Sequence, residues 1–188
     1  MLLKSVGLKY SDVETVNLPF PDHVAALANK GVDASASVEP GPTIAIKNGF
    51  AVLVKADDEI IPNHQIAVLL YSEKFAKNRD AGNRFMRAYI RAVRFYNDAL
   101  KDSKLAGPTA NELISILTEY TPVKAEIYRK VTPTGMHPDG NVNVESLAQD
   151  QAFYSELGLV KERVKLEDLV DMSFARTAVK GLGPYKKQ

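Results

Sequence analysis

The sequence predicts an α/β lobe that passes into a mostly helical C-terminal half. Two observations predict this. Over the first 75 residues, strand-length apolar runs alternate with short helix-like segments, the order that builds a parallel sheet. From Ser72 onward the apolar spacing lengthens to a helical period.

The elements follow in order. In "DVETVNLP", Val13, Val16 and Leu18 stand in a β-branched run that stops at Pro19, which reads as a strand. "FPDHVAALANKG" reads as a helix, with Asp22 as N-cap, Val24, Leu27 and Ala28 as its apolar stripe and Gly31 as its stop. "VDASAS" is the next strand. "PTIAIKNG" is a short helix with Pro42 in its first turn and Gly49 at its end. "FAVLVKA" and "HQIAVLLYS" are two further strand-length apolar runs. "SEKFAKN" is a short helical segment. "DAGNRFMRAYIRAVRFYNDAL" is the strongest helix, with Phe85, Tyr89, Ala92, Tyr96 and Leu100 at a 3.6-residue period.

Further helix starts are marked by Thr109 with Glu112 three residues on, by Thr121 before Pro122, and by Ser146 with Gln149. The last of these helices stops at Gly158. Asp171 is placed to cap a final helix that ends at Gly181, and "PTGMHPDGNVN" is a loop.

Composition narrows the function classes. The chain has 188 residues, 45% hydrophobic and 25% charged, with a net charge of +1. That balance suits a globular chain and offers no broad basic field for nucleic acid. There is no cysteine, which excludes disulfides, thiolate metal sites and cysteine nucleophiles. No apolar run reaches the ~20 residues of a membrane helix. "MLLKSVGLKY" carries no cleavage-site pattern, so no signal peptide is read there.

The candidate chemistry is sparse. His23, His64 and His137 lack the i, i+4 spacing of a helical metal site, so no metal is expected. No nucleophile elbow, phosphate loop or dinucleotide fingerprint is present, so no catalytic residue and no cofactor is assigned. Arg84, Arg87, Arg91 and Arg94 lie on or near one helix face and read as a solvated face. The most informative stretch is "VDASASVEPGP". Ligands of open α/β sheets bind beyond the carboxyl ends of strands, and Ser35, Ser37 and Glu39 stand there, stiffened by Pro40 and Pro42. The same residues also read as a helix start, with Glu39 as cap and Pro40 as first residue. The residues alone leave both open.

Residues 6–49 resemble the nitrate/sulfonate/taurine-type substrate-binding proteins of ABC importers. The pairs Gly7-Leu8, Asp12-Val13 and Ala26-Leu27, the segment Gly31-Val32-Asp33-Ala34 and the pair Glu39-Pro40 carry the likeness. The ending is similar too: Gln151 to Tyr154 as Q-x-F-Y, Gly158 to Val160 as G-x-V, and Val170 to Phe174 as V-D-x-S-F. The branch that binds thiamine-pyrimidine precursors is the most similar one.

The resemblance implies a hinged type II periplasmic-binding fold that closes on a small solute. Residues 1–75 would form its second lobe and residues 76–188 a helical part returning toward a first lobe that is largely missing from a truncated chain. It further implies a non-enzymatic role, with nitrate, a sulfonate or a pyrimidine-like molecule as solute. The importer's membrane subunits would be partners, in the periplasm or at the cell surface. Ligand contacts are expected from Ser35, Ser37, Glu39 and Pro40, and from Pro19, Phe20 and Asp22 at the preceding strand end. Phe20 would stack on a flat ring. A possible homodimer would cover apolar surface left by the missing lobe. The alternatives are an oligomerising module without solute and, less favoured, an enzyme of thiamine-pyrimidine synthesis, whose cysteine-rich motif this chain lacks.

Overall fold

The computed structural model describes residues 2–188, and about half of the chain is helical. In chain order the elements are α1 (Leu2–Ser5), α2 (His23–Ala28), α3 (Gly41–Lys47), α4 (Glu73–Lys77), α5 (Arg79–Asp98), β1 (Leu100–Lys101), β2 (Lys104–Leu105), α6 (Ala110–Tyr120), α7 (Ala125–Tyr128), α8 (Val144–Glu156), α9 (Leu166–Leu169) and α10 (Ser173–Leu182). Single 3₁₀ turns span Tyr10–Asp12, Phe20–Asp22 and Asp57–Glu59.

The expected parallel sheet is not formed. Among the described residues the only ladder is the antiparallel pair β1–β2, joined by Asp102 and Ser103, both at positive φ. The runs at 13–18, 32–37, 51–56 and 65–71 are not in any ladder. A strand exists only with a neighbour for its backbone groups, and β propensity alone does not supply one.

The fold divides into two compact units, which interleave in sequence. Among the described residues the first comprises 2–62, 100–107 and 111–134; the second comprises 63–99, 108–110 and 135–188.

In the first unit α2 packs on α3, whose Ala45 is buried. Gly49, at φ 75, ends α3: its N–H bonds the Ile46 carbonyl, and Phe50 N–H bonds that of Ala45. Leu105, Leu113, Ile114, Ile127 and Val131 are the other buried apolar residues of this unit. The helix expected from Thr121-Pro122 shrinks to α7. The Thr121 hydroxyl donates to the Leu117 carbonyl (2.7 Å) and so closes α6 instead of opening a new helix.

The second unit is built on α5 and α10. Asn78 caps α5, its side chain accepting from Ala81 N–H. Ile90, Ala175 and Ala178 form the core, with Met86, Tyr89, Met172, Val179 and Leu182 packed around them. The stripe Phe85–Tyr89–Ala92–Tyr96 is therefore only partly the buried one. The contact line runs through Gly82, Met86, Ile90 and Val93, because Gly82 has no side chain to obstruct the Phe174 ring. A Cβ at Gly82 would stand 2.5 Å from Phe174 Cε1.

Two expected caps do other work. Ser146 is buried and its Oγ accepts from Gln65 N–H (2.8 Å), so α8 starts earlier and is capped by Asn143. The Thr109 hydroxyl donates to the Phe95 carbonyl (2.9 Å). His64 lies against Asp150, its Nε2 3.1 Å from Oδ1. Asp171 stands one residue before Met172, which holds the N-cap position of α10, and accepts from Ser173 N–H (2.8 Å), so it braces the start of that helix without being its cap.

The C-terminal tail is tied to buried Asp98, whose Oδ1 accepts from the Tyr185 hydroxyl (2.8 Å) and from Gln188 N–H (3.1 Å). Desolvation, then the bond to this carboxylate, push the Tyr185 phenol from an ordinary 10.0 up to about 12. The folded chain thus holds this proton more tightly than the unfolded one. The contribution is complete below the unfolded value and is lost as pH rises through the folded one. Melting temperature is expected to fall more steeply between pH 10 and about 12 in the native chain than in Tyr185→Phe, as thermal melts over that range would show.

Candidate functional site

The residues expected from the sequence to contact a ligand, Pro19, Phe20, Asp22, Ser35, Ser37, Glu39 and Pro40, all fall in the first unit. Pro19 precedes the 3₁₀ turn Phe20–Asp22, which runs directly into α2. Asp22 is exposed and makes no side-chain cap bond. It already has helical backbone angles (φ −85°, ψ −13°), so it stands inside the helical run and not at its boundary.

His23, the first residue of α2, is the organising side chain, and it was weighed in the sequence only as a metal ligand. Its Nε2 lies 3.0 Å from the Leu18 carbonyl and its Nδ1 2.8 Å from Ser35 Oγ. A carbonyl can only accept, so Nε2 carries the proton. In the neutral ring Nδ1 then accepts, and the Ser35 hydroxyl must donate to it. Phe20 packs edge-on against the same ring, with centroids 5.3 Å apart, and keeps 54% of its own surface exposed. Ser35 is exposed as well. The cluster thus presents an aromatic face beside a serine oxygen whose proton is already committed.

Ser37 and Glu39 are held at the start of α3. Ser37 Oγ is buried without a protein hydrogen-bond partner, 3.0 Å from where a Cβ on Gly41 would lie; that same position is 3.9 Å from Val24 of α2. Glu39 braces the backbone. Its Oε1 accepts from the Thr43 hydroxyl (2.9 Å) and Thr132 N–H (3.3 Å), and its Oε2 from Thr43 N–H (3.3 Å). Pro40 follows across a cis peptide bond and occupies the N-cap position of α3. The structure therefore brings Phe20 and Ser35 together through His23, and Ser37 and Glu39 together through α3. Thr43 and Thr132, distant or neutral in sequence, had no motif to mark them.

No three His, Asp, Glu or Cys side chains converge on a metal-sized site among the described residues. No helix of the described residues is long and apolar enough to cross a membrane.

Comparison with curated proteins and with solved structures returned no match. The model of the NMT1-like family matches residues 1–108, more than half of the chain and all of the Phe20–His23–Ser35 and Ser37–Glu39 groups. The chain therefore belongs to the NMT1-like family, the family of nitrate/sulfonate/taurine-type ABC substrate-binding proteins, whose members are generally solute binders rather than enzymes.

Proposed function

We propose that this protein binds a small solute as the substrate-binding component of an ABC importer, delivering it to the importer's membrane subunits in the periplasm or at the cell surface. The Phe20–His23–Ser35 cluster, within the family match, is the observation that carries this reading. It contributes the contact wall, with Pro19 and Asp22 at its rim and Ser37, Glu39 and Pro40 fixing the loop behind it.

The hydrogen-bond inventory also selects among solutes. Ser35 donates its proton to His23, so only its lone pairs remain for a ligand. Nitrate and sulfonate groups offer acceptors alone and would face those lone pairs. A pyrimidine-like ring bearing N–H groups can donate to Ser35 while its flat face lies on Phe20.

Isothermal titration against nitrate, taurine and an aminopyrimidine tests this. The aminopyrimidine is expected to bind tightest, and Ser35→Ala and Phe20→Ala each to weaken it by roughly tenfold, the equivalent of about 1.4 kcal/mol. An affinity left unchanged by both substitutions would remove these residues from the site.

A further inference from the structure

The hydrogen bonds around His23 stand in the order of a nucleophile, its base and an orienting group. Ser35 Oγ lies 2.8 Å from His23 Nδ1, and His23 Nε2 lies 3.0 Å from the Leu18 carbonyl. The carbonyl keeps the ring proton on Nε2, so the lone pair on Nδ1 faces the Ser35 hydroxyl. That is the resting state for general-base activation of a serine. The base is neutral, in the right tautomer and already in contact with the proton it must remove. A nucleophile must also be reachable, and Ser35 is exposed while His23 is half-buried, with Phe20 edge-on against its ring. Negative charge developing on the attacked oxygen needs donors. The backbone N–H groups of Ser35 and Ala36 bond no backbone acceptor among the described residues. Free donors therefore stand at the nucleophile and at the residue after it, where an oxyanion can draw on them.

We propose that Ser35 and His23 form a catalytic dyad that hydrolyses small aryl esters. Ser35 Oγ attacks the ester carbonyl carbon while its proton passes to His23 Nδ1, and a tetrahedral oxyanion forms. Its collapse breaks the bond to the aryl oxygen. The departing phenolate takes the proton back from His23, and the acyl group stays on Ser35. Water then attacks the acyl carbon and gives a proton to Nδ1. The acyl–Oγ bond breaks, Oγ recovers that proton, and the carboxylic acid leaves.

Two features select the substrate class. The orienting group is a carbonyl dipole and not a carboxylate, so it stabilises the imidazolium less than the aspartate of a Ser-His-Asp set does. Amides and alkyl esters, whose leaving groups depart only once protonated, are disfavoured. Phenolates leave readily and are favoured. Phe20 keeps its open surface beside the pair and offers it to the aryl ring. The chemistry needs only the two hydrogen bonds of His23 and an open serine, so it is independent of solute binding and of an importer.

Treatment of the native chain with a fluorophosphonate, which labels serines activated by a base, tests the dyad, with the adduct mapped by peptide mass spectrometry. Hydrolysis of p-nitrophenyl acetate is followed in parallel. The expected result is an adduct on Ser35 and a hydrolysis rate that falls by roughly 100-fold or more in Ser35→Ala and in His23→Gln. Ser35 is exposed, so Ser35→Ala is expected to keep its helical circular dichroism and decides the matter even if His23→Gln does not fold. A native chain without an adduct on Ser35 overturns the proposal. So does hydrolysis that survives Ser35→Ala, or labelling of Ser35 that is as fast in a folded His23→Gln. Neither readout involves a solute, so failure here and failure of the titration with aminopyrimidine are separate results.

Discussion

Phe174→Ala is expected to cost about 3–5 kcal/mol, the range for emptying a buried aromatic site. The ring is 3% exposed. It lies edge-on to Tyr71 at 5.0 Å, with the Arg79 guanidinium 3.6 Å from its centroid. It also fills the space above Gly82 that brings α10 against α5. At about 2–4 °C per kcal/mol for a chain of this length, a thermal melt would register a loss of roughly 6–20 °C. Gly82→Ala attacks the same contact from the other side. Its new methyl would meet the ring at 2.5 Å, and overpacking of this kind costs typically about 1–3 kcal/mol. The double variant should lose less than the sum of the two, because the alanine methyl enters space the ring has left. Full additivity would show that the two residues do not share a contact.

Arg94→Ala is expected to cost about 2–4 kcal/mol. Arg94 shares a helix face with three other arginines and is the one that serves as a strut. Its Nε donates to the Pro138 carbonyl (3.2 Å), and its Nη2 to Asp139 Oδ1 (2.7 Å) and the Gly183 carbonyl (2.9 Å). The side chain is only 13% exposed, so these acceptors are poorly placed to find water instead. Arg94→Lys should recover little. A single ammonium cannot reproduce the planar fork that spans three acceptors. Urea midpoints of the two variants, compared with Arg84→Ala, would check this. Arg84 pairs with Asp80 on the open surface and should leave the midpoint nearly unmoved.

What could be read from the sequence was local. The period of α5, the proline-led start of α3 and the Gly49 stop all rest on contacts within a few residues, and all appear in the structure. The strands were not readable in this way. Val52 to Val54 look like a strand in sequence, but whether they pair is decided by residues elsewhere. Ser146 and Thr109 stood at good cap spacings and were taken by Gln65 and Phe95, partners 81 and 14 residues away. The rotation of the buried stripe from Phe85 to Met86 and Ile90 depended on Phe174, about as remote.

The site divides the same way. Ser35 and Phe20 are candidates on sequence alone, from their place at the ends of apolar runs. His23, which joins them, stands 12 residues before Ser35, and its role needs the Leu18 carbonyl to fix its tautomer. Glu39 carried two readings in sequence, and its bonds to Thr43 and Thr132 give weight to the bracing one.

The small number of buried apolar side chains, among which Ile90 and Ile114 are the largest fully enclosed, has a calorimetric meaning. The heat-capacity change of unfolding scales with apolar surface newly exposed. A single chain that already exposes so much has less left to reveal. Its stability curve should accordingly be shallow, bending little between its cold and hot limits, and its urea dependence correspondingly gentle.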